Sequence, residues 1–175
     1  VPPLTANSTD HVLLGFSAST NASVATNPAT QVLNALSIST STNTNGVLST
    51  VRLIASTDAD PNTTGDNTII GTFTQNAGTI QLTGLAQTLS ATAKNYFVVA
   101  DVASAVTPST PALTFTFATA GATLSGGNKN SFSFVSGPFD FVSSGAPLLA
   151  ATAVDAFGEV CINTIFPPVG SFVLT

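Results

Sequence analysis

Apolar residues recur at every second position along most of this chain. Leu113, Phe115 and Phe117 are separated by Thr, Phe132 and Phe134 by Ser, and Phe139 and Phe141 by Asp140. Val12, Leu14, Phe16 and Ala18 alternate in the same way near the N-terminus. A side-chain period of two belongs to a strand with one face buried, and helical spacing is nearly missing. Further strand signals lie at Leu36 and Ile38, Val47 to Ile54, Ile69 to Phe73, Ile80 and Leu82, and Tyr96 to Val99. Turn formers separate them: Asn43 to Gly46, Asp58 to Asn67, Asn76 to Gly78, Thr107 to Pro111, Gly126 to Asn128 and Gly137-Pro138. Leu85 to Lys94 alone has a helical argument, and its Ser and Thr content fits a loop or short strand equally. The pattern predicts an all-β fold, an immunoglobulin-like or jelly-roll β-sandwich of roughly ten strands, with Phe inward and Thr or Ser outward.

Composition then narrows function. Charged residues make up 6% of 175 residues, with three Lys and Arg against eight Asp and Glu, for a net charge of -5. An ordinary soluble domain carries about 25%, so the surface here is mainly hydroxyl and amide. Arg52, Lys94 and Lys129 stand apart from one another. Nucleic-acid binding needs clustered cations, and a peripheral membrane contact usually needs a polybasic face; neither partner is expected. A hydrophobic content of 43% argues for a real core and against disorder. No apolar run approaches the about 20 residues of a bilayer span, so no membrane insertion is expected.

The chain starts at Val1 and lacks Met, which predicts processing and export to an extracellular or cell-surface location. Sequons at Asn7, Asn21 and Asn62 agree with an exterior glycoprotein. Cys161 has no second Cys to pair with, so no internal disulfide forms. It reads as a small buried apolar residue, with an intermolecular bridge as the alternative.

Three regions are expected: an N-terminal arm over 1–18, a sandwich body over 19–142, and an apolar segment over 143–175 that completes the sandwich or serves as an arm. Val51-Arg-Leu-Ile-Ala-Ser-Thr-Asp58-Ala-Asp60-Pro-Asn62-Thr-Thr-Gly65-Asp66, running on to Gly71, together with Tyr96-Phe-Val-Val-Ala-Asp101-Val-Ala, resembles β-sandwich modules of bacterial and archaeal secreted and surface-layer proteins. The resemblance covers about a third of the chain and implies location more than activity. The processed start, hydroxyl-rich sandwich and apolar termini also resemble subunits of extracellular, pilus-like filaments joined by donor-strand complementation.

Few residues offer chemistry. Asp58, Asp60, Asn62 and Asp66 occupy positions one, three, five and nine of an oxygen-ligand loop suited to Ca²⁺. Position twelve is Ile69 instead of Glu, and Gly65 falls at position eight, so the alternative is a plain hairpin loop. His11 is the single imidazole. No Gly-x-Ser-x-Gly elbow accompanies it; Gly15-Phe-Ser17-Ala-Ser19 only approximates one. Glu159 with scattered Asp residues lacks the aromatic platform of a sugar cleft, since Trp is missing and Tyr96 is alone. The chain is therefore not expected to be an enzyme.

The leading expectation is a structural subunit of an extracellular filament or sheath that polymerises with copies of itself. An apolar strand from one copy would fill a groove in the next. An open sandwich needs charges to blunt its edges, and few are available. The first donor strand is Val12, Leu14, Phe16 and Ala18, within an exchangeable N-terminal strand. The rival donor is Ile162, Phe166, Phe172 and Leu174, interrupted by Pro167-Pro168. The competing class is a calcium- or glycan-binding module of an adhesin or surface layer.

Overall fold

The structure, a computed structural model, describes residues 1–20, 31–58, 60–61, 67–126 and 129–144. The chain divides into two units, Val1–Ser144 and Gly145–Thr175; everything described lies in the first. The rival donor residues Ile162, Phe166, Phe172 and Leu174 lie outside the described residues, as do Cys161, Glu159, Asn21, Asn62 and Asp66.

The strands in chain order are β1 (Leu4–Thr5), β2 (His11–Ala18), β3 (Gln31–Thr40), β4 (Leu48–Ser56), β5 (Thr68–Thr72), β6 (Thr74–Asn76), β7 (Thr79–Leu89), β8 (Lys94–Val102), β9 (Leu113–Ala118), β10 (Ala122–Leu124), β11 (Ser133–Phe139) and β12 (Phe141–Val142). A single 3₁₀ turn, Thr119–Gly121, is the only helical element among the described residues. The fold is all-β. One antiparallel sheet has the order β2-β8-β4-β5, and a second has β11-β9-β3-β7-β6 with β10 paired to β3. The short β1 lies parallel to β12.

Alternation explains the core. Val51, Leu53 and Ala55 of β4, Tyr96, Val98 and Ala100 of β8, Ile80 and Leu82 of β7, and Leu113, Phe115 and Phe117 of β9 belong to one buried cluster. These residues come from both larger sheets, so the sheets share a single core. Each fully buried Leu, Ile or Phe side chain contributes about 1.5–3 kcal/mol relative to exposure. The Leu85 to Lys94 ambiguity resolves as strand: β7 continues to Leu89, and Lys94 begins β8.

Three local features depart from simple alternation. In β2 the register slips between Val12, opposite Val99, and Leu14, opposite Val98. Leu13 is the extra residue, so Leu13 and Leu14 are both buried while Val12 is only half-buried. A bulge of this kind breaks the two-residue phase. Gly137-Pro138, expected as a turn, lies inside β11, where the register shifts between Ser136 and Phe139. Phe134, expected inward, is 41% exposed.

The N-terminal lead is not a free linker within this fold. The amide of Leu4 donates to the carbonyl of Asp140 at 2.7 Å and that of Ala6 to Val142 at 2.8 Å. Leu4 and Ala6 are buried. The amide of Val102 in turn donates to the carbonyl of Ser8 at 2.8 Å. Residues 4 to 8 therefore strap the end of β12 to the end of β8.

Gly121 shows how closely backbones approach. A Cβ there would lie 2.1 Å from the carbonyl oxygen of Ser37 in β3 and 3.3 Å from the Phe117 ring. Backbone cannot yield as a flexible side chain does, so Gly121→Ala is expected to lower stability by about 1–3 kcal/mol. Urea unfolding measures this, and an unchanged midpoint would contradict the close approach.

Candidate functional site

Charge distribution over the strands singles out the sheet edges. Among the described strands, charged side chains occur only in β4 (Arg52) and β8 (Lys94, Asp101). These two are the central strands of the four-stranded sheet. The edge strands β2, β5, β6 and β11 contain no Asp, Glu, Lys or Arg. Soluble monomers usually show the reverse, with Lys or other charges guarding the edges. β11 carries Pro138 and a register shift, and β6 is three residues long, so the edges of the second sheet are partly blunted. β2 and β5 contain no Pro.

A cleft opens where β2 and β11 meet. Its volume is about 310 Å³, and its wall mixes apolar residues such as Phe16, Leu33, Phe117 and Phe132 with polar ones such as Ser17, Thr20, Gln31 and Lys129. A chain of rings leads from core to surface. Tyr96 stacks on Phe16 with centroids 5.4 Å apart, Phe16 meets Phe117 at 4.9 Å, Phe117 meets Phe132 at 5.0 Å, and Phe132 stacks on Phe134 at 5.4 Å. Offset and tilted pairs at these separations are favourable. Lys129 stands at the mouth, donating from Nζ to the carbonyls of Thr119 at 2.9 Å and Ala122 at 2.5 Å. Beside the cleft on β11, Val135 is 65% exposed.

The start of β2 is pinned electrostatically. Arg52 Nη2 donates to Asp10 Oδ1 at 2.8 Å and to Asp101 Oδ1 at 2.7 Å. The Asp10 amide also donates to Asp101 Oδ1 at 3.1 Å. Asp10 itself has φ +61°, a conformation uncommon for a residue other than glycine. Its side chain is well exposed, so the outer half of this cluster is screened by solvent. The Arg52–Asp101 pair is better shielded and joins β4 to β8, and the Asp10 amide ties the start of β2 to that pair.

The donor-strand residues Val12, Leu14, Phe16 and Ala18 sit in β2, which pairs with β8 of its own chain from His11 opposite Ala100 to Ala18 opposite Lys94. Phe16 lines the cleft together with Ala18. Of the oxygen-ligand set, Asp58 and Asp60 are exposed, and Asp58 Oδ1 accepts from Ser56 Oγ at 3.1 Å and from the Asp60 amide at 2.8 Å. The bond from the Asp60 amide is that of an Asx turn. No group of three or more His, Cys, Asp or Glu converges among the described residues. Asn7 is exposed in a turn with φ +60°, accessible to a glycan.

The structure also brings together a pair that sequence reading overlooked. His11 Nε2 lies 2.5 Å from Ser8 Oγ, whose hydroxyl donates to the Thr5 carbonyl. With the serine hydrogen on the Thr5 carbonyl, the pair requires the Nε2-protonated form of His11 as its donor. A general base needs the opposite direction. Sequence reading considered Ser17 and Ser19 for His11, and spacing offered no signal for Ser8.

No protein-family model matches the chain, and comparison with curated proteins finds no match. No helix among the described residues is long and apolar enough to cross a membrane.

Tyr96 reports on the integrity of this region. It is fully buried, and its hydroxyl has no hydrogen-bond partner among the described residues. Burial raises its pKa above 10.0. Below pH 10 the phenol keeps its proton whether the chain is folded or unfolded. Above that, the unfolded chain ionises first, so the stability gained by keeping Tyr96 neutral is lost as pH rises toward the folded value. Tyr96 is the only Tyr and Trp is missing, so phenolate absorbance is a clean probe. Its step is expected above pH 10 in the native protein and near pH 10 in denaturant; coincident steps would contradict the burial.

Proposed function

We propose that this chain is a structural subunit of an extracellular filament or sheath, an immunoglobulin-like or jelly-roll sandwich that polymerises head-to-tail by β-strand addition. One observation carries the reading: the edge strands β2 and β11 carry no charge, and a cleft with aromatic as well as polar lining lies between them. Strand edges without charge are templates for another strand. A cleft beside them supplies the pocket in which alternate side chains of an added strand are buried. The low charge content supports dense lateral packing, and the sequons support an exterior location.

Exchange of β2 between copies is one route. Val12, Leu14, Phe16 and Ala18 would then pair with β8 of a neighbour instead of their own, and the straps at residues 4 to 8 and at Arg52 would have to open first. Addition of a strand to the free side of β2 is the other route and leaves the subunit intact. Where the contact runs in one direction from copy to copy, either route is head-to-tail and gives open fibres.

Light scattering and electron microscopy over a range of concentration and ionic strength test the proposal. Open fibres are expected above a threshold concentration, forming faster as salt screens the net charge of -5. Added Ca²⁺ is expected to change nothing. Monodisperse monomer under all conditions would overturn the polymer reading, and assembly or ligand uptake that requires Ca²⁺ would favour a calcium-dependent surface module.

A further inference from the structure

The outer face of the four-stranded sheet carries an apolar row that runs from edge to edge. Gly15 on β2 lies opposite Phe97 on β8, Phe97 opposite Ile54 on β4, and Ile54 opposite Ile69 on β5. The row faces away from the main core. Val51, Leu53 and Ala55 of β4 point inward, Arg52 and Ile54 point outward, and Phe97, although only 9% exposed, is not part of the core cluster. At one end Ile69 is 61% exposed. At the other end Gly15 has no side chain, and two atoms of the Phe97 ring lie 3.1 Å from where its Cβ would be. One edge thus ends in an apolar projection, and at the other an aromatic ring covers the glycine.

Strand directions make these edges complementary. β2 is antiparallel to β8, β8 to β4, and β4 to β5; β2 and β5 therefore run in opposite directions. A second copy displaced along the sheet places its β2 antiparallel to β5 of the first, the better hydrogen-bonding arrangement. In the other sheet the same displacement places β6 parallel to β11, because the ordered path holds five strands. Self-pairing about a two-fold axis would instead set β5 against β5 or β2 against β2, and would not bring Ile69 to the Phe97 ring.

We infer that β5 of one copy pairs antiparallel with β2 of the next, with Ile69 opposite Gly15, so that the row Gly15, Phe97, Ile54, Ile69 continues unbroken through the polymer. The partner is a second copy of this chain, and the inference rests on the polymer reading above while specifying its edges and register. Ile69 and the neighbouring Phe97 are two strands apart, about 10 Å, and the ring lying over Gly15 spans that gap. The subunits remain intact, with β2 in its own sheet.

Two half-blocked variants test this. Ile69→Lys charges β5 and leaves β2 free; Ser17→Lys charges the exposed outer side of β2 and leaves β5 free. Both sites are exposed, and circular dichroism with urea unfolding checks that each variant folds. Under reducing conditions, which keep Cys161 from cross-linking, each variant alone is expected to need at least about tenfold more protein to polymerise than the parent chain. An equimolar mixture is expected to stop at heterodimers in sedimentation, because one free β5 meets one free β2. A parent chain that polymerises while Ile69→Lys polymerises equally well, or a mixture that stays monomeric, would overturn this edge assignment and leave the polymer reading standing. A parent chain that never polymerises would overturn both.

Discussion

Backbone amides and carbonyls left unpaired at the sheet edges govern what this fold can meet. Each edge strand offers a row of amides and carbonyls, and an uncharged edge offers them with little repulsion. Here the strand charges sit in β4 and β8, the interior strands of the four-stranded sheet. The edges instead carry Thr, Ser, Gly and exposed apolar residues, Ile69 at one side and Phe134 and Val135 at the other. That distribution suits a chain whose edges meet other strands.

Interior packing gives the edges a stable frame. The two sheets bury Phe115, Ile38, Leu53 and Val98 almost completely, and the ring chain from Tyr96 outward links that core to the cleft. At the opposite end of β2, Arg52 gathers Asp10 and Asp101, while Leu4 and Ala6 hold the N-terminal lead against β12. β2 is therefore anchored at its start and lined by apolar residues toward its end. This anchoring favours addition of a strand to β2 over exchange of β2 itself, since exchange must break the ion cluster and expose Leu4 and Ala6.

Much of the fold was legible in the sequence because one face of each strand is buried. Leu113, Phe115 and Phe117 alternate with Thr and do face the core. Alternation fails where the backbone adds a residue: Leu13 is extra in β2, and Ile70 falls between the paired Gly71 and Ile69 of β5. No residue type announces such a bulge. Phe134 continued the alternating pattern yet remains exposed, because β11 is an edge strand with little covering it. Scarcity of charge was plain from composition, but which strands lie at edges is a property of topology, so the edge positions of Ile69 and Gly15 could not be read from sequence. The Asp58 loop was legible as a turn, and its carboxylate hydrogen-bonds within that turn.

Strand addition must satisfy edge amides that solvent otherwise reaches, so amide hydrogen exchange before and after assembly reads the pairing of the edges. New protection is expected in β2 and β5 together, with β3 and β9 unchanged. Assembly that leaves both edges exchanging as in the monomer, or that protects only β6 and β11, would contradict that pairing.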